Sequence, residues 1–195
     1  MCKRGKIGIL KNTVQIAFFS FIILILTAAC NQDTGNVSPT RTMEIFLDSV
    51  RSGDFERANS FLYGDNDPFA FYEIDDEHKG LFRRLTFWGQ SEAINGDTAE
   101  VTLTIRRANF IAVMEIVMAE ASVMLQDGFP EDELPQVMEQ LIYEHMTGRA
   151  AEMITSTITV PFVRDGDVWL IYADNVLINT VNGGILDFVQ YIESN

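Results

Sequence analysis

The sequence predicts an α+β fold, with an antiparallel sheet of about four or more strands wrapped around helices and a helical pair inserted between two hairpins. Three observations carry this reading. Met43, Phe46, Leu47 and Val50 fall at i, i+3, i+4 and i+7, the stripe of an amphipathic helix. Two stretches of period-two alternation fold back around Asn95-Gly96-Asp97 and Arg164-Asp165-Gly166-Asp167, and Asn-Gly and Asp-Gly are strong hairpin signals. Between them, residues 110–149 switch to helical spacing and hold five of the eight methionines.

Taken in chain order, the first element is an address. Lys3, Arg4, Lys6 and Lys11 precede an uncharged apolar run, Ile16 to Ala29 (IAFFSFIILILTAA), that ends in small residues. A basic flank, a short apolar stretch and small terminal residues make a secretory signal whose positive end stays in the cytoplasm. As a helix the run reaches about 21 Å, short of the roughly 30 Å hydrocarbon core, so cleavage is the better reading than a span. The run closes on Leu26-Thr27-Ala28-Ala29-Cys30, which resembles the lipobox of bacterial lipoproteins, with the leucine one place early and Thr27 in its usual position. The resemblance implies a signal peptide over 1–29, a diacylglycerol on the Cys30 thiol, and attachment to the outer face of the cell membrane. Several acyl chains are needed for such an anchor, because one chain binds only marginally. Residues 30–40 then read as a polar tether (NQDTGNVSPT after the cysteine), and 41–195 as a single domain.

Within the domain, the stripe from Met43 to Val50 stops at Ser52-Gly53, and Asp54 is placed to cap a second short helix over Phe55–Tyr63. Gly64 to Pro68 is a loop by composition, and Asp75-Asp76-Glu77 sit where acids favour the start of a third helix running to Leu85. The first hairpin pairs Thr86–Ile94 with Thr98–Arg107, turning Ala99, Val101, Leu103 and Ile105 to one face and Glu100, Thr102, Thr104 and Arg106 to the other. Asn109 caps a helix over Phe110–Gln126, and a second helix covers Pro135–Thr147 up to Gly148. The second hairpin sets Ile154, Ile158, Val160 and Phe162 against Thr155, Thr157 and Thr159, then returns through Val168–Ala173. Ile185, Phe188, Val189 and Ile192 close the chain at helical spacing.

The order of helices, hairpin, helical insertion, hairpin and helix is similar to the nuclear-transport-factor-two-like cone, and in particular to uncharacterised Gram-positive lipoproteins built on it. The carrying features are the lipobox, the tether, the Phe46-Leu47-Asp48 … Ser52-Gly53-Asp54-Phe55-Glu56-Arg57-Ala58 stretch, the insertion, and the closing hairpin with Trp169. The resemblance implies a curved sheet wrapped around helices, with a concavity that binds small molecules or completes a dimer in some relatives. It implies no particular reaction.

Charge excludes one class of function. The chain carries 14 basic and 28 acidic residues, and removing 1–29 leaves 10 against 28, a surface that repels phosphate backbones and so argues against nucleic acid. The candidate chemistry is sparse. Cys2 and Cys30 are the two cysteines, so no zinc or disulfide framework is available to the domain. Asp65-Asn66-Asp67 and Asp165-Gly166-Asp167 have calcium-like oxygens but lack the continuation of a calcium loop, and read as turns; no cofactor motif is present. His78 follows an acidic run and reads as solvated, while His145 lies at a helix C-terminus. Asp174, at the end of the last strand, is the one weak catalytic candidate, with turn formation as its plainer role. Met114, Met118, Met138 and Trp169 are the candidate contacts for a small apolar ligand or a protein partner. The leading expectation is a lipid-anchored, non-enzymatic binding module. An isomerase- or dehydratase-like enzyme using a buried carboxylate, and a self-associating module forming a homodimer, are the alternatives.

Overall fold

In a computed structural model of the chain the first helix, α1 (Pro39–Ser52), starts inside the stretch read as tether. Ser38 explains the early start: its hydroxyl accepts from Arg41 N at 3.2 Å, and Pro39 loses nothing in a first turn where its missing N–H has no helical partner. Gly53, at φ 76°, ends the helix as expected. The structure describes residues 37–64, 67–70 and 80–194, and Val37–Asn195 belong to one compact unit. The signal stretch, Cys30, Asp65, Asn66, His78 and the acidic start of the expected third helix lie outside the described residues.

The second helix, α2 (Phe55–Asn59), is capped by Asp54, whose carboxylate accepts from Arg57 N, but it is shorter than the expected Phe55–Tyr63. The backbone beyond Asn59 finds better partners in the sheet. Ile171 N donates to Phe61 O and Tyr63 N to Ile171 O, both at 2.8 Å, so Leu62 joins the sheet edge as a parallel bridge. Of the expected third helix, the described part is one 3-10 turn, Gly80–Phe82.

Four strands follow: β1 (Thr86–Asn95), β2 (Thr98–Ala108), β3 (Met153–Asp165) and β4 (Val168–Ile171), antiparallel in the order β1-β2-β3-β4. Both tight hairpins turn through a Gly-Asp pair, Gly96-Asp97 and Gly166-Asp167, with each glycine at a positive φ (62° and 60°). Between Trp88 and Ser91 the β1 register slips by one residue at Gly89, whose φ is 69°. This bulge swaps the faces of the strand. Phe87 packs on the core before it, whereas Glu92 and Ile94 lie opposite Val101 and Ala99 after it. Glu92 thereby reaches α1, accepting from Thr40 N (3.0 Å) and Thr40 Oγ1 (2.7 Å), and supplies the negative charge that the first turn of α1 lacks.

The main core fills the inner face. Met43, Phe46, Leu47 and Val50 of α1 pack on Val101, Leu103 and Ile105 of β2 and on Val160 and Phe162 of β3. Phe55 stacks on Phe69 at 5.2 Å and meets Phe82 edge-on at 5.5 Å, tying α2 to the 3-10 turn. The outer face is polar. There the Thr102–Thr159 and Thr104–Thr157 hydroxyl pairs bond across the strands at 2.8 and 2.9 Å. Ile154 keeps the parity of Ile158 but is 36% exposed at the start of β3.

The insertion consists of α3 (Phe110–Gln126) and α4 (Leu134–Thr147), and it departs from the sheet where β2 and β3 still pair: Ala108 faces Met153, and Asn109 N donates to Glu152 O at 2.9 Å. The chain ends in α5 (Asn175–Val181) and α6 (Ile185–Ser194), joined by Asn182-Gly183-Gly184. The α5 helix was not expected, because its few apolar positions do not show a full stripe. The side chain of Ile192 lies outside the described residues.

Candidate functional site

Period-two alternation along β2 puts Ala99, Val101, Leu103 and Ile105 inside, and the next residue of that series is Arg107. Its side chain is 6% exposed, at the point where the inner face of the sheet passes from the main core to the insertion. There a second apolar cluster begins, built on Ala108, Val113, Val117 and Met146.

A cavity of about 1060 Å³ opens at this end of the sheet. That is at the upper end of the ~300–1,000 Å³ typical of small-molecule sites. Each wall comes from a different element. The 3-10 turn and the residues after it give Leu81, Phe82 and Leu85; α4 gives Leu134, Met138, Ile142, Tyr143 and Met146; the α5–α6 link gives Asn182 and Gly183, and the start of α6 gives Ile185. Arg107, Ala108 and Phe110 come from the β2–α3 junction, and Glu131, Glu139 and Glu144 form a polar margin with exposed side chains.

The wall of α4 is held by close backbone fits. Tyr143 rests on Gly80, where a Cβ would stand 3.0 Å from its hydroxyl. Arg84 donates from Nη1 to Gly148 O, at the helix C-terminus. His145 Nε2 lies 3.3 Å from Glu120 Oε1 and bridges α3 to α4. Across the cavity, Phe110 N donates to Gly183 O at 3.1 Å, and Phe110 meets Phe188 of α6 edge-on at 5.6 Å.

Electrostatically the site is unusual. Arg107 Nε and Nη1 are buried without a hydrogen-bond partner among the described residues, and so is Asn182 Oδ1, in a side chain 8% exposed. Orphaned buried polar atoms are rare and costly. Burial pushes the Arg107 pKa down from its ordinary value, and the Asp187 carboxylate opposes this through space. Asp187 is itself engaged, accepting from Asn179 Nδ2 at 2.8 Å.

The residues singled out in the sequence separate in space. Met138 lines the cavity. Met114 is buried at 8% exposure on α3 without lining the cavity, while Met118 is 53% exposed on the outside of α3. Trp169 belongs to the main core, 7% exposed, with the Arg164 guanidinium 5.8 Å from its ring. Asp174 caps α5, its carboxylate accepting from Leu177 N at 2.8 Å. Among the described residues no group of three or more His, Cys, Asp or Glu is arranged to hold a metal ion.

The cap makes Asp174 testable. Asp174→Ala is expected to lower stability by about 1 kcal/mol in thermal unfolding, and Asp174→Asn to leave it nearly unchanged, since asparagine caps equally well. A large loss in the asparagine variant would assign the charge itself a role that capping does not provide.

Arg107 and Asn182 were not picked out as site residues. The available signal was a charged residue continuing the inward series of β2, and an asparagine immediately before a Gly-Gly pair. No family model, curated protein or solved structure matches this chain.

Proposed function

We propose that this chain is an extracytoplasmic lipoprotein, held to the membrane through lipidated Cys30, whose domain takes the nuclear-transport-factor-two-like cone and binds a small apolar molecule without transforming it. One observation carries the binding reading: the cavity between α4, the 3-10 turn and the α5–α6 link, whose walls are mostly apolar, with Gln136, Gln140 and the three glutamates on the α4 side and Arg107 and Asn182 on the other. The helices lie on one face of an antiparallel sheet, and the insertion stands where a concavity is useful, which supports the cone. The Asp174 carboxylate is occupied as a helix cap, which favours binding over proton abstraction. No helix among the described residues is long and apolar enough to cross a membrane.

The test uses the full-length lipoprotein in phosphatidylcholine nanodiscs, with empty discs subtracted, titrated with the neutral fluorophore N-phenyl-1-naphthylamine. Saturable enhancement is expected. Ile142→Trp together with Met138→Trp fills the cavity and is expected to weaken the probe by about tenfold or more, the loss of a well-buried contact. Met118→Ala, on the outside of α3, is expected to leave it unchanged. Absence of saturable binding, or binding insensitive to the two tryptophans, overturns the reading.

A further inference from the structure

Resting on that reading of the cavity, the geometry points to its ligand class: we infer that the site takes a singly charged anionic amphiphile, with a carboxylate on Arg107 and an apolar body against Leu81, Met138 and Ile142. The first argument is charge. In a chain of formal net charge −14, one guanidinium has been carried to the wall of the cavity, with its Nε and Nη1 buried and without a hydrogen-bond partner among the described residues. The Asp187 carboxylate, engaged by Asn179, reaches this cation only through space, and a planar carboxylate on the guanidinium fork adds the paired, charge-assisted hydrogen bonds that Nε and Nη1 lack.

The second argument is position. Arg107 and Asn182 immediately precede Ala108 and Gly183, whose backbones are so close that a Cβ on Gly183 would stand 2.9 Å from Ala108 O. The two orphaned groups therefore enter the cavity from adjoining backbone. The buried Asn182 Oδ1 needs a donor, which a hydroxyl or amide N–H near the ligand head supplies. Leu81, Met138 and Ile142 come from the turn and the helix on the other walls, and they give the head group an apolar continuation. The side chains of the glutamates at the margin are exposed, where salt and solvent screen their repulsion of an anion, so the buried cation sets the preference.

The experiment competes decanoate, decanol and decyltrimethylammonium against N-phenyl-1-naphthylamine at pH 7.5, on the same nanodisc-held full-length protein. Decanoate is expected to compete roughly 10- to 100-fold better than decanol, the range of hydrogen bonds to a charged group. Arg107→Met removes the charge while keeping the length of the side chain. Replacing a buried unpaired ion by an apolar group of similar size does not threaten folding. In that variant decanoate is expected to fall to the level of decanol while the neutral probe still binds, and Arg107→Lys is expected to retain most of the preference. Equal competition by decanoate and decanol in the unmodified protein, a preference that survives Arg107→Met, or strongest binding of the cation each overturns the assignment and leaves the apolar-ligand reading standing. Failure of the neutral probe itself removes both.

Discussion

Cys30→Ser is expected to abolish incorporation of radiolabelled fatty acid and to leave a precursor that retains residues 1–29. The reason is chemical: thioether formation needs the sulfur, and the serine hydroxyl does not replace it as a nucleophile. Without the modification, the apolar run Ile16–Ala29 has fewer residues than the roughly 20 that a membrane span requires, so much of the precursor is expected to be salt- or carbonate-extractable. The effect is close to all-or-none, because each buried methylene contributes about 0.8 kcal/mol to anchoring and the full set of acyl chains is lost at once. Continued labelling of the serine variant, or a purified protein whose first residue is not Cys30, removes the proposed anchor.

Gly183→Ala is expected to be among the most damaging single-methyl additions in the domain. Gly183 sits at φ 78°, where an L side chain costs about 1–2 kcal/mol, and the new Cβ would stand 2.9 Å from Ala108 O and 3.2 Å from Phe110 Cβ. Neither neighbour can swing away, one being backbone and the other the first residue of α3. Overpacking of this kind adds about 1–3 kcal/mol. The sum, about 3 kcal/mol, corresponds to a fall of roughly 6–12 °C in the unfolding midpoint for a domain of this size. Gly96→Ala is the matched control: its φ is 62°, but nothing lies within 4 Å of the added carbon. It is expected to cost only the conformational part, about 1 kcal/mol. Equal midpoints for the two variants would show that the contact between the α5–α6 link and the β2–α3 junction is not tight.

Much of the sheet is legible in the sequence, and the reason is periodicity. Alternation along Ala99–Ile105 and Ile158–Phe162, punctuated by Asn95-Gly96 and Asp165-Gly166, states which side chains are inside and where the strands reverse. Helix ends were legible where a side chain caps, as at Asp54 and Asn109. Three things were not. The bulge at Gly89 depends on an extra residue accommodated against a partner strand, so the faces of Glu92 and Ile94 cannot be inferred from β1 alone. The early end of α2 is decided by hydrogen bonds to Ile171, over a hundred residues away. The cavity draws its walls from segments near 81, 107, 142 and 182, and no local pattern announces that they meet. Composition directed attention to the methionines, of which Met138 reaches the cavity. The residue with the strongest electrostatic argument, Arg107, stands in the strand register as one more member of an alternating series.

The placement of the insertion at the β2–β3 junction separates the cavity wall from most of the main core. Because Asn109 and Glu152 are already joined by a backbone hydrogen bond, the forty or so residues between them begin and end at one spot, and their length imposes little closure entropy on the strands they interrupt. Their apolar interior is a separate cluster from the one beneath α1, linked to it mainly through Leu81. Substitutions in the α4 wall of the cavity, at Met138 or Ile142, therefore fall outside the core beneath α1, and are expected to reshape that wall at less cost to folding than changes at Phe82, Leu85 or Val181, which serve both.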